Sequence, residues 1–250
     1  MSGHSKWANI KHKKARSDEK RGKEFTKIGK EIALASRLGG GDPDSNARLK
    51  LMIQKAKAIN MPNDNINRAI KKGQGDADGD LMEELFYEGY APGGVAVILE
   101  IATDNRNRTA SDIRHLFSKY GGNLGESGCV SWMFDRIGSI SVPKSSVKMD
   151  LEDFLMFALD CGAEDVKEED EEYYEVITAM DQLMQVVGAM ESEVMIESAD
   201  LIMQPQNMMD IADEELAGKI LKLVDVLEDH DDVQNLYANF SIPDEIMEKF

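Results

Sequence analysis

Apolar residues first recur at helical spacing from about residue 17, where Phe25, Ile28, Ile32 and Ala35 lie 3, 4 and 3 positions apart. At about 100° per residue these four fall within an arc of about 80°, and Lys20, Lys23, Lys27 and Lys30 cluster roughly 140° away. The pattern predicts a helix with one core face and one lysine stripe. Glu24 and Glu31 stand four residues after Lys20 and Lys27 and offer them partners along the same helix. The run Gly39-Gly-Gly-Asp-Pro stops this helix, and Asp44 or Ser45 is placed to cap a second one with Leu49, Met52, Ile53, Ala56 and Ile59 as its stripe. After Asn60-Met-Pro, a third short helix starts at Asn63 or Asp64, carries Ile66, Ala69 and Ile70, and ends at Gly73 and Gly75. Three apolar stripes close as a small bundle, with Arg48, Lys50, Lys55, Lys57, Arg68, Lys71 and Lys72 outside. Neither the helix lengths nor the Gly-rich connection matches a helix-turn-helix, so no recognition helix is assigned.

Beyond a Gly/Asp linker at 73–80 the period changes. Strands are expected at 85–90 and 95–101 around the turn Ala91-Pro-Gly-Gly, a helix at 109–120 and another strand at 130–134. A second series follows: strand 137–142, helix 151–161, strand 173–178, helix 181–190 and strand 195–203, with a weak strand at 164–166. That order is ferredoxin-like. The last segment, helical at 213–227 and extended at 233–240, supplies the pair missing from the first series. The expected fold is therefore α+β: an N-terminal helical domain (1–75), an α+β domain (81–136 with 207–250), and a ferredoxin-like α+β domain inserted within it (137–206).

Charge changes the picture. Up to Gly75 the chain holds 18 Lys and Arg against 7 Asp and Glu, and from Asp76 onward it holds 11 against 40, so the net −18 hides a strongly dipolar molecule. Recognition of nucleic acid depends on where charge sits, and the N-terminal segment carries it. Within residues 4–16, Lys6, Lys11, Lys13, Lys14 and Arg16 accompany His4, His12 and Trp7 without a single acid. Such a run repels itself and is expected to be poorly ordered alone. As an arm it sets cations against phosphates and stacks Trp7 on a base, a contact typically worth ~1–3 kcal/mol. The bland alternative is a solvated tail with Trp7 tucked against the next helix. A second basic feature, Thr103-Asp-Asn-Arg-Asn-Arg-Thr, puts Arg106 and Arg108 at a helix N-terminus, where a phosphate fits. Equally, Asp104 caps that helix and both arginines pair with nearby carboxylates.

Other chemistry fares poorly. His115 and His230 are isolated, Glu168-Glu-Asp-Glu-Glu lacks the alternation of a calcium loop, and no P-loop, GxSxG or GxGxxG occurs. No cofactor or metal is expected, and no catalysis. Cys129 and Cys161 are too few for a disulfide framework and read as buried thiols; the 15 Met read as core filler. No apolar run approaches the ~18 residues of a membrane span. With no apolar leader, and with Asp18, Glu19 and Glu24 arriving early for a transit peptide, a cytoplasmic location is expected.

Five stretches in order, Ser2-Gly-His-Ser-Lys-Trp-Ala-Asn-Ile-Lys-His-Lys-Lys, Arg21-Gly-Lys-Glu-Phe-Thr-Lys, Ala56-Lys-Ala-Ile-Asn-Met-Pro-Asn-Asp-Asn-Ile, Tyr87-Glu-Gly-Tyr-Ala-Pro-Gly-Gly-Val-Ala and Thr103-Asp-Asn-Arg-Asn-Arg-Thr-Ala-Ser-Asp-Ile-Arg, together resemble the YebC family of bacterial regulators. That family includes relatives of the mitochondrial translational activator of cytochrome c oxidase. The resemblance implies three domains, one helical and two α+β, and a cytoplasmic protein that is not an enzyme. It implies a probable DNA-binding transcriptional regulator, or alternatively a ribosome-associated factor that binds ribosomal RNA and relieves stalling at sequences such as proline runs. In the first case Lys6, Lys11, Lys13, Lys14, Lys20, Lys23, Lys27 and Lys30 grip phosphates. In the second, the arm orders on RNA and the acidic body meets the ribosome or its basic proteins.

Overall fold

The computed structural model describes residues 18–75, 82–168, 170 and 172–250. Helices α1 (Asp18–Gly39), α2 (Ala47–Ala58) and α3 (Asn63–Gln74) form the expected bundle around buried Ile32, Ala35, Leu49, Met52, Ala56, Met61 and Ile66. The cap of α2 is neither Asp44 nor Ser45 but Asn46. Its Oδ1 accepts from Leu49 N at 3.1 Å, and its Nδ2 donates to Ala35 O at 2.8 Å and Gly40 O at 2.7 Å. One buried amide thus satisfies donors at the start of α2 and carbonyls at the end of α1, which a carboxylate cannot do. Helix α3 crosses α1 at Gly73, where a Cβ would sit 2.1 Å from Ala33 O, so the close approach of the two helices requires glycine there.

Strands β1 (Glu83–Tyr90) and β2 (Ala96–Thr103) form an antiparallel hairpin in register from Glu83↔Thr103 to Tyr90↔Ala96. Its turn runs through Gly93 and Gly94, both at positive φ. Helix α4 (Arg106–Lys119) follows, then β3 (Asn123–Leu124), which pairs with the end of β1. Two residues are too few for an alternation to announce. The strand expected at 130–134 does not form: Val130 is buried in a loop and extended pairing begins only at Phe134. The reason is Glu88, whose carboxylate accepts from Gly128 N, Val130 N and Ser131 N, each at 2.8 Å, and so removes those donors from any ladder.

Burial pushes the Glu88 carboxyl up, but these three N–H groups more than offset it and hold it below its ordinary value. A carboxylate depressed in the fold contributes stability above its unfolded pKa and loses it as pH falls through the folded value. Glu88→Gln is therefore expected to cost about 1–3 kcal/mol at pH 7. The gap from the native chain should close as urea midpoints are measured at pH values falling below about 4; a gap that persists unchanged in acid would rule this account out.

The next segment comprises β4 (Phe134–Pro143), α5 (Leu151–Asp160), β5 (Asp165–Lys167), β6 (Tyr173–Ala179), α6 (Leu183–Met190) and β7 (Ser198–Pro205). The sheet order is β5-β6-β4-β7 with every neighbour antiparallel, the ferredoxin-like arrangement, and the weak strand takes its place as β5. Phe154, Ala158, Val186 and Met190 bury the two helices against Ile140, Val142 and Val176. The chain closes with β8 (Met209–Asp210), α7 (Glu214–Glu228), β9 (Val233–Ala238), β10 (Phe240–Ser241) and α8 (Asp244–Met247). Strand β9 adds to β2, giving the order β3-β1-β2-β9, and α7 covers that sheet with Ile220, Leu223, Val224 and Leu227.

The chain divides into two compact units. One is Trp132–Met208; the other combines the described residues up to Ser131 with Met209–Phe250, and so holds the helical bundle and the β3-β1-β2-β9 sheet together. Two compositional readings need correction. Cys129 and Cys161 stand outside any disulfide among the described residues and are only half-buried, with burial pushing both thiols above their ordinary value. Several Met are exposed and do not fill a core, Met156, Met184 and Met195 the most.

Candidate nucleic-acid interface

Of the residues the sequence assigned to nucleic acid, Lys6, Trp7, Lys11, His12, Lys13, Lys14 and Arg16 lie outside the described residues, as does the Lys20 side chain. The rest of the lysine stripe departs from the expectation of an open face. Lys23 Nζ lies 3.3 Å from Asp229 Oδ2 and Lys27 Nζ donates to Glu228 O at 2.6 Å. Lys30 pairs with the Asp232 carboxylate and donates to Asp231 O at 2.9 Å. Helix α7 ends at Glu228, so the stripe meets the negative end of a helix and the turn that follows it. Lysines from near the start of the chain do here what C-terminal capping cations do locally.

Asp232 is the centre of this junction. Its side chain is 4% exposed and that of Lys30 15%. Thr109 Oγ1 donates to Asp232 Oδ2 at 2.6 Å, Thr103 Oγ1 lies 2.8 Å from Thr109 Oγ1, and the Arg108 guanidinium reaches Asp232 at 3.4 Å. Burial raises the Asp232 carboxyl, yet the hydrogen bonds from Lys30 and Thr109 prevail and hold it below its ordinary value. The pair joins α1 to α4 and β9 through one buried charge.

The Arg-rich loop splits into two roles. Asn105, not Asp104, caps α4, accepting from Arg108 N at 3.0 Å. Asp104 instead receives Lys72 Nζ of α3 and Arg108 NH2, each at 3.0 Å. The Lys72 bond and the Arg108 bond outweigh partial burial and set Asp104 below its ordinary value. Arg108 is thus shared between two carboxylates. Arg106 is exposed and makes no ion pair among the described residues; only its carbonyl is engaged, by the Tyr87 hydroxyl at 3.3 Å. Burial and then the Asp232 charge raise the Tyr87 phenol against the opposing charges of Arg106 and Arg114.

Two further clamps escaped the sequence reading. Arg48 of α2 bridges Glu31 of α1 at 3.3 Å and Glu84 of β1 at 2.8 Å, so Glu31 is engaged by α2 and Lys27 takes another partner. Arg37 donates to Met82 O. After this pairing, Lys50, Lys57, Arg68, Lys71, Arg106 and Arg114 are among the cations that remain exposed and outside ion pairs among the described residues. Among the described residues, the face of the ferredoxin-like sheet away from its helices carries one aromatic side chain, Tyr173 at the start of β6, and no row of stacking rings. Its central strands set Ser139, Ser141 and Glu175 on the face away from the helices, with Ser139 Oγ donating to Glu175 at 2.9 Å. No trio of His, Cys, Asp or Glu among the described residues is placed to hold a metal. No described helix is long and apolar enough to cross a membrane.

This architecture coincides with known families in two consecutive stretches. Residues 5–76 match the TACO1/YebC protein N-terminal domain, and residues 82–240 match the TACO1/YebC second and third domain. The chain belongs to the TACO1/YebC family. A relative from Syntrophomonas wolfei is 68% identical over 249 residues, 99% of each chain. One from Moorella thermoacetica is 56% identical over 252 residues, spanning 100% of this chain and 99% of its own. Both are called probable transcriptional regulatory proteins. The crystal structure of a conserved hypothetical protein from Aquifex aeolicus superposes with a TM-score of 0.85 at 50% identity, covering 95% of this chain and 97% of that one. At this identity the fold is shared over the 95% of the chain that superposes, and a regulatory role is what the relatives' names carry.

Proposed function

We propose that this chain is a non-enzymatic, cytoplasmic regulator of gene expression that binds DNA through its basic N-terminal segment. The observation that carries this reading is the separation of charge, 18 basic against 7 acidic residues up to Gly75 and 11 against 40 beyond it. Phosphates are met by Lys6, Lys11, Lys13, Lys14 and Arg16 of the arm and by Lys20 and Arg106. Lys23, Lys27, Lys30 and Arg108 act indirectly, by holding α1 and α4 in place. Side chains for reading base edges are not evident, so affinity is mainly for the backbone and any sequence preference comes from shape or a partner.

The test is fluorescence anisotropy of the full chain with a labelled 30-base-pair duplex across a salt series. A log-log slope of about −6 is expected, since seven cations meet phosphates and each neutralised phosphate contributes ~0.9 on B-DNA. A slope near zero, or no binding at low salt, would overturn the reading. The same titration with a ribosomal RNA fragment addresses the second reading, a ribosome-associated factor, which is favoured by the acidic body: bare duplex repels that pole, whereas a ribosome also presents basic protein. Tighter binding to the RNA at matched salt would make RNA the ligand.

A further inference from the structure

All the large apolar side chains exposed among the described residues belong to the 132–208 unit, except Leu38 and Phe250. Four of them collect at one end of its helical layer. Ile137 pairs with Ala179 and Asp165 with Ile177, so β6 finishes and β5 begins at the same end of the sheet. Helix α5, which leads into β5, therefore ends where α6, which follows β6, begins. A Cβ built on Gly162 would lie 3.5 Å from Val186 Cγ2, which sets the turn after α5 against α6. Met156 and Leu159, three residues apart on the outward face of α5, are 59% and 40% exposed; Met180 and Met184, at the start of α6, are 48% and 54% exposed. Exposed Asp160, Glu164 and Asp181 stand at the same end, in a unit with 18 Asp and Glu against 4 Lys and Arg.

A solvated acidic surface has no use for four long apolar side chains. Single exposed apolar residues need no explanation, but a group of them rimmed by charge marks an interaction site. Methionine adapts its unbranched thioether to an irregular apolar partner, and carboxylates around it select cations. We propose that this end of the 132–208 unit is a docking surface for a basic amphipathic segment of a partner protein. The apolar face of that segment lies on Met156, Leu159, Met180 and Met184, and its Lys and Arg meet Asp160, Glu164 and Asp181. Charge complementarity is what names the occupant, a basic helix laid on an apolar patch. The surface lies outside the basic segment that ends at Gly75 and has the opposite charge, so it stands independently of the nucleic-acid reading.

The experiment compares the full chain with its M156Q/L159Q/M184Q variant, whose exposed substitutions should leave the thermal midpoint unchanged. The probe is a labelled 16-residue helical peptide with leucines on one face and lysines on the other, against a scrambled peptide of the same composition. The native chain is expected to bind the amphipathic peptide at least 10-fold more tightly than the scrambled one, and the variant to lose that preference while retaining its DNA affinity. Equal binding of both peptides by the native chain, or a preference surviving in the variant, would overturn the proposal. So would self-association in analytical ultracentrifugation that the variant abolishes, which would assign the patch to a second copy.

Discussion

Replacing Asp232 by alanine is expected to destabilise the unit that holds the bundle and its sheet by about 3–5 kcal/mol, because it leaves the Lys30 ammonium desolvated without its counter-charge. The contrast with the other ion pairs makes the magnitude diagnostic. Lys23 with Asp229 and Lys72 with Asp104 have side chains 30–55% exposed, and pairs of that kind are worth about 0–1 kcal/mol. Urea midpoints of D232A, D104A and D229A should therefore differ sharply, with only the first displaced far. In a cycle with K30A, the double variant should be less destabilised than the two single losses combined, since Lys30→Ala removes the very charge that Asp232→Ala strands. The acid limb carries the same signature. Asp232 is depressed in the fold, so its contribution is present above the ordinary Asp range near 3.9 and is lost as pH falls through its folded value. In D232A that component of acid sensitivity should vanish. A D232A chain within about 1 kcal/mol of the native one would show that the junction is held by other contacts.

Removing residues 1–16 is expected to weaken duplex DNA binding by 100-fold or more near 100 mM salt and to flatten the log-log salt slope by about 4.5, because five cations leave at ~0.9 each. The informative partner is the K23A/K27A/K30A triple variant. On the sequence reading it should flatten the slope by about 3, because three phosphate-gripping cations leave at ~0.9 each. On the geometry, it should bind DNA nearly as well as the native chain under conditions where it stays folded, and should lose stability instead, since those ammonium groups meet Glu228, Asp229, Asp231 and Asp232. Arg106→Ala should remove about one charge from the slope. Undiminished binding by the truncated chain, with loss in the triple variant, would return the interface to the stripe.

The stripe is also where the reading of sequence reached its limit. Its helical phase was legible, and so were the core positions Ile32, Leu49, Met52, Ala56 and Ile66 that share it, because burial of one helix face imposes a period on composition. The ferredoxin-like order was legible for the same reason, even to a strand as short as Asp165–Lys167. The caps were misplaced by one or two residues, at Asn46 and Asn105, since Asp, Ser and Asn all satisfy a helix start locally and only the surrounding carbonyls distinguish them. The destination of Lys23, Lys27 and Lys30 was not legible at all. A lysine face turned to solvent and one turned to a carboxylate cluster near the far end of the chain have the same spacing.

Local periodicity, turn chemistry and composition were enough for the helices and the longer strands, the ferredoxin-like order, the family and the polarity of charge along the chain. Only the tertiary structure decided which charges remain available. Asp232 engages Lys30, Asp104 gathers Lys72 and Arg108, and Glu88 accepts the backbone N–H groups of Gly128, Val130 and Ser131. It also decided that Met156 and Met184 face water while Met190 does not. Pairing of charges and burial of individual side chains depend on distances between segments remote in the chain, and no one-dimensional pattern encodes those distances.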